Sequence, residues 1–442
     1  MEEPTIALPR ELLHELDALR ARVGNGPACA EGVEQLIAAH PQHAAALRAW
    51  LAQHDSMAGG EGALPVFGPY RALSLLGSGG FGDVYLAEQL APVRRRVALK
   101  VLKRGMDSAA ILQRFAREQD ALARMGHDAI AKILDAGVTP GGQPFFAMEL
   151  VDGASITVHC DRERMPLDAR VRLFVDVCHG VQHAHQKGVV HRDLKPGNVL
   201  VARVGERHQP KLIDFGIARA LAGDDGADAA REATLTEAGV LLGTPAYMAP
   251  EQLRSDPAQI DTRTDVYALG AILFELLTGM RPLAGDLGAP IDAFVLRQRQ
   301  LASDTPRPSA VVGSDATTLA VRAELRQLQP RAWQRALRSA LDWIVLRAMA
   351  KEPERRYASA AELAADLERY RRGEAVLAGP PSVGYRLRKF AQRHRAQVLA
   401  GICFYRIDLD QNRLHLDATL TSLLQPQQHA LEMPLNEFDA MV

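Results

Sequence analysis

No two of the four cysteines, Cys29, Cys160, Cys178 and Cys403, form a CxxC pair. That spacing excludes a zinc ribbon and a disulfide scaffold, and it fits a reducing compartment, so a cytoplasmic location is expected. Charge of one sign is also missing. The 52 Lys and Arg face 53 Asp and Glu, for a formal net charge of −1. No global field marks a nucleic-acid binder, and no nucleic-acid partner is expected. Long hydrophobic runs are absent as well. The longest near the C-terminus, Val398 to Tyr405, falls well short of the roughly 20 residues a spanning helix needs. The opening Met1-Glu2-Glu3-Pro4 is acidic and lacks the apolar stretch of a signal peptide. There is no internal repeat and no low-complexity tract. What remains is an ordinary globular composition, 47% hydrophobic, in a chain of 442 residues, which predicts two to four folded units.

Composition shifts divide the chain. Residues 1–56 predict a helical leader, with Leu12, Leu13, Leu16 and Leu19 at helical spacing, and 57–66 a Gly-rich linker. Residues 67–372 form the main unit. It starts with Gly- and Val-rich alternation up to about Leu150, interrupted by one helix from Ala109 to about Met125. From Ile156 to Arg371 helices dominate, and Leu173, Val177 and Val181 mark one face of a helix over Leu167–Gln186. Residues 373–396 hold a Pro-containing linker and a basic helix, and 397–442 a tail with strand-like segments.

The first chemical signal is Leu76-Gly77-Ser78-Gly79-Gly80-Phe81-Gly82. A GxGxxG alone is weak, because dinucleotide-binding folds share it. There the third glycine opens a helix, whereas Asp83 to Ala87 here predicts a strand. The loop therefore joins two antiparallel strands, and its glycines let backbone N–H groups approach phosphate closely. The next element, Val97-Ala98-Leu99-Lys100, predicts a buried strand ending in a lysine. A buried ammonium needs an anion. Phosphates and a carboxylate would both serve, and Glu118, midway along the predicted helix, is favoured over Glu88 and Asp120.

The second signal is His191-Arg192-Asp193-Leu194-Lys195-Pro196-Gly197-Asn198, followed by Asp214-Phe215-Gly216. Together they supply a proton acceptor, a cation and two oxygen ligands for Mg²⁺, in the order that phosphoryl transfer from ATP requires.

With Ala249-Pro250-Glu251, these pieces stand in the order of a bacterial eukaryotic-like (Hanks-type) serine/threonine protein kinase, which the stretch from Phe67 to Arg371 resembles. The resemblance implies an α+β, two-lobed fold, with a small antiparallel-sheet N-lobe carrying one helix and a larger helical C-lobe, behind the helical leader. It implies ATP and Mg²⁺, or Mn²⁺ in its place, as cofactors, and Ser/Thr hydroxyls of proteins as acceptors. Carried over by position, Asp193 orients the acceptor hydroxyl and takes its proton, and Lys195 neutralises the γ-phosphate. Lys100 and Glu118 position the nucleotide, and Asn198 and Asp214 hold the metal. Leu76 to Gly82 cover the phosphates. Val84, Ala98 and Leu200 enclose adenine, Met148 is the gatekeeper, and Glu149 to Val151 the hinge. His191, Phe215, Leu122 and Ile133 stack as a spine. Glu251 pairs with Arg356, and Asp265 braces the catalytic loop. Thr244 takes a structural place near Asp193 and Lys195. A pseudokinase scaffold that binds nucleotide and partners is the alternative reading.

Arg192, a cation beside the activation segment from Asp214 to Glu251, predicts control by phosphate. Thr234 and Thr236 are the candidate autophosphorylation sites, with a homodimer as the route to trans-autophosphorylation. The five Lys and Arg of Tyr385 to Arg395 suggest weak contact with an acidic membrane surface, against the simpler reading of a solvated helix face. The tail loosely resembles the opening strands of a PAS-type sensor module. A truncated or fused fragment and an unrelated tail fit it equally.

Overall fold

The computed structural model describes scattered residues of 33–47, then 64–79, 82–103, 125–139, 142–215, 245–254, 260–283, 293–312, 316–338, 340–379, Tyr385, Lys389, and 405–408, 413–416 and 432–434. Two compact units result, Met1–Pro65 and Val66–Val442. In the first, Val33, Ile37 and Leu47 are buried. The predicted sites Gly80, Phe81, Glu118, Leu122, Thr234, Thr236 and Thr244 lie outside the described residues, as do most of the leader and most of the basic helix.

Six strands open the second unit: β1 (Val66–Phe67), β2 (Tyr70–Ser78), β3 (Gly82–Gln89), β4 (Arg95–Leu102), β5 (Ile133–Val138) and β6 (Pro144–Glu149). They pair antiparallel in the order β1-β2-β3-β4-β6-β5. Strand β4 is interior and buried on both faces. Its residues alternate between two apolar clusters, as a period of two requires. Ala98 and Leu102 join Phe146 and Met148 in the larger core. Val97, Leu99 and Val101 pack with Tyr70, Ala87, Phe145 and Ala147. The strand was expected to end at Lys100, but it runs two residues further. Val101 and Leu102 each have a core to enter, so Lys100 sits inside the strand, on the face of Ala98 and Leu102.

A second sheet, β7 (Gly153–Ser155), β8 (Val199–Val204) and β9 (Arg207–Leu212), lies in the helical lobe. A Cβ on Gly153 would stand 2.3 Å from the Val201 carbonyl, so only glycine lets β7 pair this closely with β8. The helices are α1 (Ile156–Arg162), α2 (Leu167–Gln186), α3 (Pro250–Arg254), α4 (Thr262–Thr278), α5 (Ala293–Ala302), α6 (Pro308–Val312), α7 (Ala316–Glu324), α8 (Pro330–Leu337), α9 (Ala340–Ala348) and α10 (Ala360–Arg371). Helix α2 spans the predicted residues and buries Leu173, Val177 and Val181.

Helix α4 begins at Asp261, whose side chain accepts from the Arg263 N–H at 2.7 Å, and ends at Gly279 with φ 71°. This is the polar start and left-handed stop expected of a stable helix. Almost every residue of α4 is buried, so it forms the post around which α2, α9 and α10 pack. That rigid post carries Asp265 in its first turn.

Beyond α10 the chain folds back on the same lobe. The buried Asp366 carboxylate accepts from the Tyr357 hydroxyl at 2.8 Å and from the Leu377 and Ala378 N–H groups at 2.6 and 2.9 Å. Tyr385 then packs edge-on against Trp343, with ring centroids 5.1 Å apart. In the tail, β10 (Tyr405–Asp408), β11 (Arg413–Leu416) and β12 (Glu432–Pro434) form a three-stranded antiparallel sheet.

Candidate active site

The catalytic loop hangs between α2 and β8. Asp265 of α4 holds it from below, its Oδ2 accepting from the His191 N–H at 2.7 Å and its Oδ1 from the Arg192 N–H at 2.9 Å. His185 Nε2 lies 2.7 Å from the same Oδ2, so a second buried side chain fixes the carboxylate. The Asp193 N–H turns back to the His191 carbonyl at 2.8 Å, and Arg192 between them has φ 61°. An i to i+2 bond around a residue of positive φ is the rare, strained form of the γ-turn. Strain of this kind persists only where surrounding contacts enforce it.

That turn presents Asp193. Lys195 Nζ donates to its Oδ2 at 2.9 Å. Asn198 Nδ2 donates to the Asp193 carbonyl at 2.7 Å and to Oδ2 at 3.1 Å. Two donors therefore orient the carboxylate. The short helical turn Pro196–Asn198 leads directly into β8, and the Ile213 N–H donates to the Asn198 carbonyl at 3.0 Å. This bond ties Asn198 to the chain entering Asp214. The Asp214 backbone also has a positive φ, 57°.

Lys100, 7% exposed, donates through Nζ to Asp214 Oδ1. Glu118, the acid favoured for Lys100, lies outside the described residues, and the acid that Lys100 meets among those described is Asp214. The donor set suits a hard divalent cation. The Asn198 amide nitrogen is engaged with Asp193, so its oxygen is the atom that would be left to face such a cation, alongside the Asp214 carboxylate.

The cleft roof and walls come from the first sheet. Gly79 N–H donates to the Gly82 carbonyl at 2.9 Å, closing the tight β2–β3 connection, and Ser78 Oγ donates to Asp83 at 2.6 Å. Leu76 is exposed, at 53%. Ala98 pairs with Met148, and Met148 with Ile133 across β5. Val84 is half-buried beside Lys100, its cross-strand partner. Leu200 pairs with Ser155, at the other side of the connection between sheets. In that connection Glu149 Oε2 accepts from the Lys132 N–H and from Lys211 Nζ, each at 3.1 Å, so the hinge is tied to β9. Val151, two residues on, is half-buried.

The stack beneath the cleft includes His191 and Phe215, with ring centroids 4.7 Å apart. His191 Nε2 also lies 3.1 Å from the Ile213 carbonyl, which joins the catalytic loop to the Asp214 turn. Lower still, Arg356 and Glu251 form a two-bond ion pair at 2.6 and 2.7 Å, with side chains 0% and 1% exposed. Burial pushes the Glu251 carboxyl up, but Arg356 and the Thr264 hydroxyl outweigh it and hold the carboxyl below its ordinary range.

Three contributors were not legible in advance. His185 and Thr264 sit on helices at positions no motif marks. Gln252 follows Ala249-Pro250-Glu251 directly, and that adjacency was the available signal.

Asp193, Lys195, Asn198 and Asp214, gathered where an antiparallel-sheet lobe meets a helical lobe, define the class: a two-lobed phosphotransferase fold. Residues 70–365 match the family described as "Protein kinase domain", and the chain belongs to it. It is 36% identical over 311 residues to "Serine/threonine-protein kinase PknB" of Mycobacterium tuberculosis, covering 69% of this chain and 43% of that one. It is 38% identical over 297 residues to "Serine/threonine-protein kinase Pkn1" of Myxococcus xanthus, covering 66% and 37%. The chain thus spans less than half the length of these curated relatives. The solved PknI kinase domain of M. tuberculosis superposes with a TM-score of 0.47 at 25% identity, covering 71% of this chain and 99% of that one.

Proposed function

We propose that this chain is a bacterial signalling kinase that transfers the γ-phosphate of ATP to serine or threonine hydroxyls of proteins. The observation that carries the reading is the Asp193 carboxylate held by Lys195 and Asn198, with Asn198 tied through the Ile213 N–H to the chain that brings Asp214 to Lys100. Asp193 accepts the hydroxyl proton as the oxygen attacks the γ-phosphorus and the bond to the ADP oxygen breaks. Lys195 places a cation beside the transferring group. Lys100 orients the phosphates from the roof, and Asn198 and Asp214 supply oxygen ligands for Mg²⁺ or Mn²⁺. A cation bound there neutralises charge on the phosphate oxygens.

Membership of the family and the likeness to serine/threonine kinases support protein substrates. Activation by autophosphorylation at Thr234 or Thr236, in trans within a homodimer, belongs to the same proposal, with Arg192 as the phosphate partner. A cytoplasmic location, expected from the cysteine spacing, is part of the same proposal. Weak contact of the basic helix with an acidic membrane surface is a further part of it.

The test is transfer of labelled phosphate from Mg·ATP, to the chain itself and to a Ser/Thr peptide, with sites mapped by mass spectrometry. Asp193→Asn should lower transfer by at least about 100-fold. Equal background incorporation in both proteins would refute the enzyme reading.

A further inference from the structure

The strained turn at Arg192 is gripped from two sides. On one, Asp265 accepts its N–H at 2.9 Å. On the other, the Arg192 carbonyl accepts from Gln252 Nε2 at 2.8 Å. The same Gln252 amide accepts the Ala249 N–H through Oε1 at 3.0 Å. Its orientation is unambiguous, since a backbone N–H can only donate and a carbonyl only accept. One side chain therefore joins two backbones, and with Arg192 it lines a crevice shared by Asp193, Leu194, Tyr247 and Met248.

The neighbouring residues make this bridge stiff. Gln252 sits in α3, whose preceding residue, Glu251, is bolted to Arg356 by the buried ion pair. Thr264 Oγ1, one residue before Asp265, donates to Glu251 at 3.0 Å. The end of the activation segment and the first turn of α4 are thus one hydrogen-bonded block. From that block Asp265 reaches the N–H of Arg192, and Gln252 its carbonyl. The peptide that follows carries Asp193, whose N–H is tied to His191.

We infer that Gln252 is a positioning residue: it fixes the Arg192–Asp193 peptide and so makes the aim of Asp193 depend on the seating of the activation segment's end. The inference rests on the kinase reading above. Gln252 touches no reacting atom. Without its amide, the Arg192 carbonyl loses this hydrogen bond and the strained turn is held less tightly. A displacement of about 1 Å at the reacting group is enough to cost about 100-fold in rate.

Two variants of the full chain test this with a peptide acceptor. Gln252→Met keeps the length and removes both hydrogen bonds. Its kcat should fall by about 10- to 100-fold, with KM for ATP within about twofold and the melting midpoint near that of wild type. Gln252→Glu keeps the acceptor for Ala249 but turns a carboxylate toward the Arg192 carbonyl. Protonation restores a donor there, and the ordinary carboxyl value of about 4.3 should be raised by the facing carbonyl. The ratio of its kcat to that of wild type should therefore rise severalfold from pH 8 to pH 5.5, while the ratio for Gln252→Met stays flat. A kcat within about twofold of wild type for Gln252→Met, or equal pH-independent losses in both variants, overturns the inference while leaving an active wild type as a kinase. An inactive wild type removes the kinase reading and this inference together.

Discussion

Replacing Arg356 by Met should destabilise the helical lobe by an amount large enough to measure without ambiguity. All five N–H donors of the Arg356 guanidinium are satisfied. Nε donates to the Ala350 carbonyl at 2.8 Å, and Nη1 and Nη2 donate to Glu251 and to the Arg263 and Lys351 carbonyls at 3.0 and 3.1 Å. The substitution leaves a carboxylate and three carbonyls facing an apolar side chain. Removing one partner of a buried pair costs about 3–5 kcal/mol. At about 2–4 °C per kcal/mol for a domain of this size, the melting midpoint should drop by about 6–20 °C. Calorimetry at pH 7.5 measures it.

The pH dependence supplies a second check on Arg356→Met. Glu251 has a folded pKa below its ordinary value, so its pairing contributes fully above the unfolded carboxyl value and is lost as pH falls through the folded one. The gap between wild type and Arg356→Met should narrow toward that acid limit. The double variant Glu251→Leu plus Arg356→Met should lie closer to wild type than Arg356→Met alone, since it removes the orphaned charge. A midpoint within about 2 °C of wild type for Arg356→Met would refute the assignment of this pair as a structural bolt.

Two further outcomes follow from the packing. Gly153→Ala should destabilise by about 1–3 kcal/mol, because its Cβ meets the rigid Val201 carbonyl rather than a mobile side chain; an unchanged urea midpoint would show that β7 has room to move. His159, buried on α1, stands 2.8 Å from His208 of β9. Burial first, and then His208, Arg162 and Arg203, hold its pKa below the ordinary value against the opposing pull of Glu163. The unfolded chain then takes up the proton more readily, so stability should fall as pH drops from about 6.5. His159→Leu should flatten the slope of melting midpoint against pH between 7.5 and 5.5, and parallel curves would count against the pair as a source of acid sensitivity.

How much of this was legible in the sequence divides along a physical line. Asp193, Lys195, Asn198 and Asp214 were visible because phosphoryl transfer demands those side chains in a short, ordered interval. Helix α2 was visible to the residue because Leu173, Val177 and Val181 repeat at the helical period between Pro166 and Gly188. Strand β4 was read two residues short, since a continuous apolar run carries no internal mark of where it ends. The meeting of Asp214 with Lys100, 114 residues away and from the other lobe, was not read in advance, because neither local run points to the other.

The contacts that set backbone geometry were the least legible. Gln252 and Arg192 stand 60 residues apart, and Asp342 accepts the Ser309 N–H from 33 residues away; Asp265, 74 residues from His191, was expected to brace the catalytic loop only through the family resemblance. In each case one end is a main-chain group, which every residue type possesses, so composition at that end is unconstrained and no motif forms. Side-chain chemistry leaves a trace in sequence; the aim of a peptide bond does not. The positive φ at Arg192 illustrates the difference. Nothing in an arginine predicts it, and it exists because Asp265 and Gln252 hold the two ends of its backbone. Any change that loosens either grip should act on Asp193 without altering a single residue of the catalytic motif.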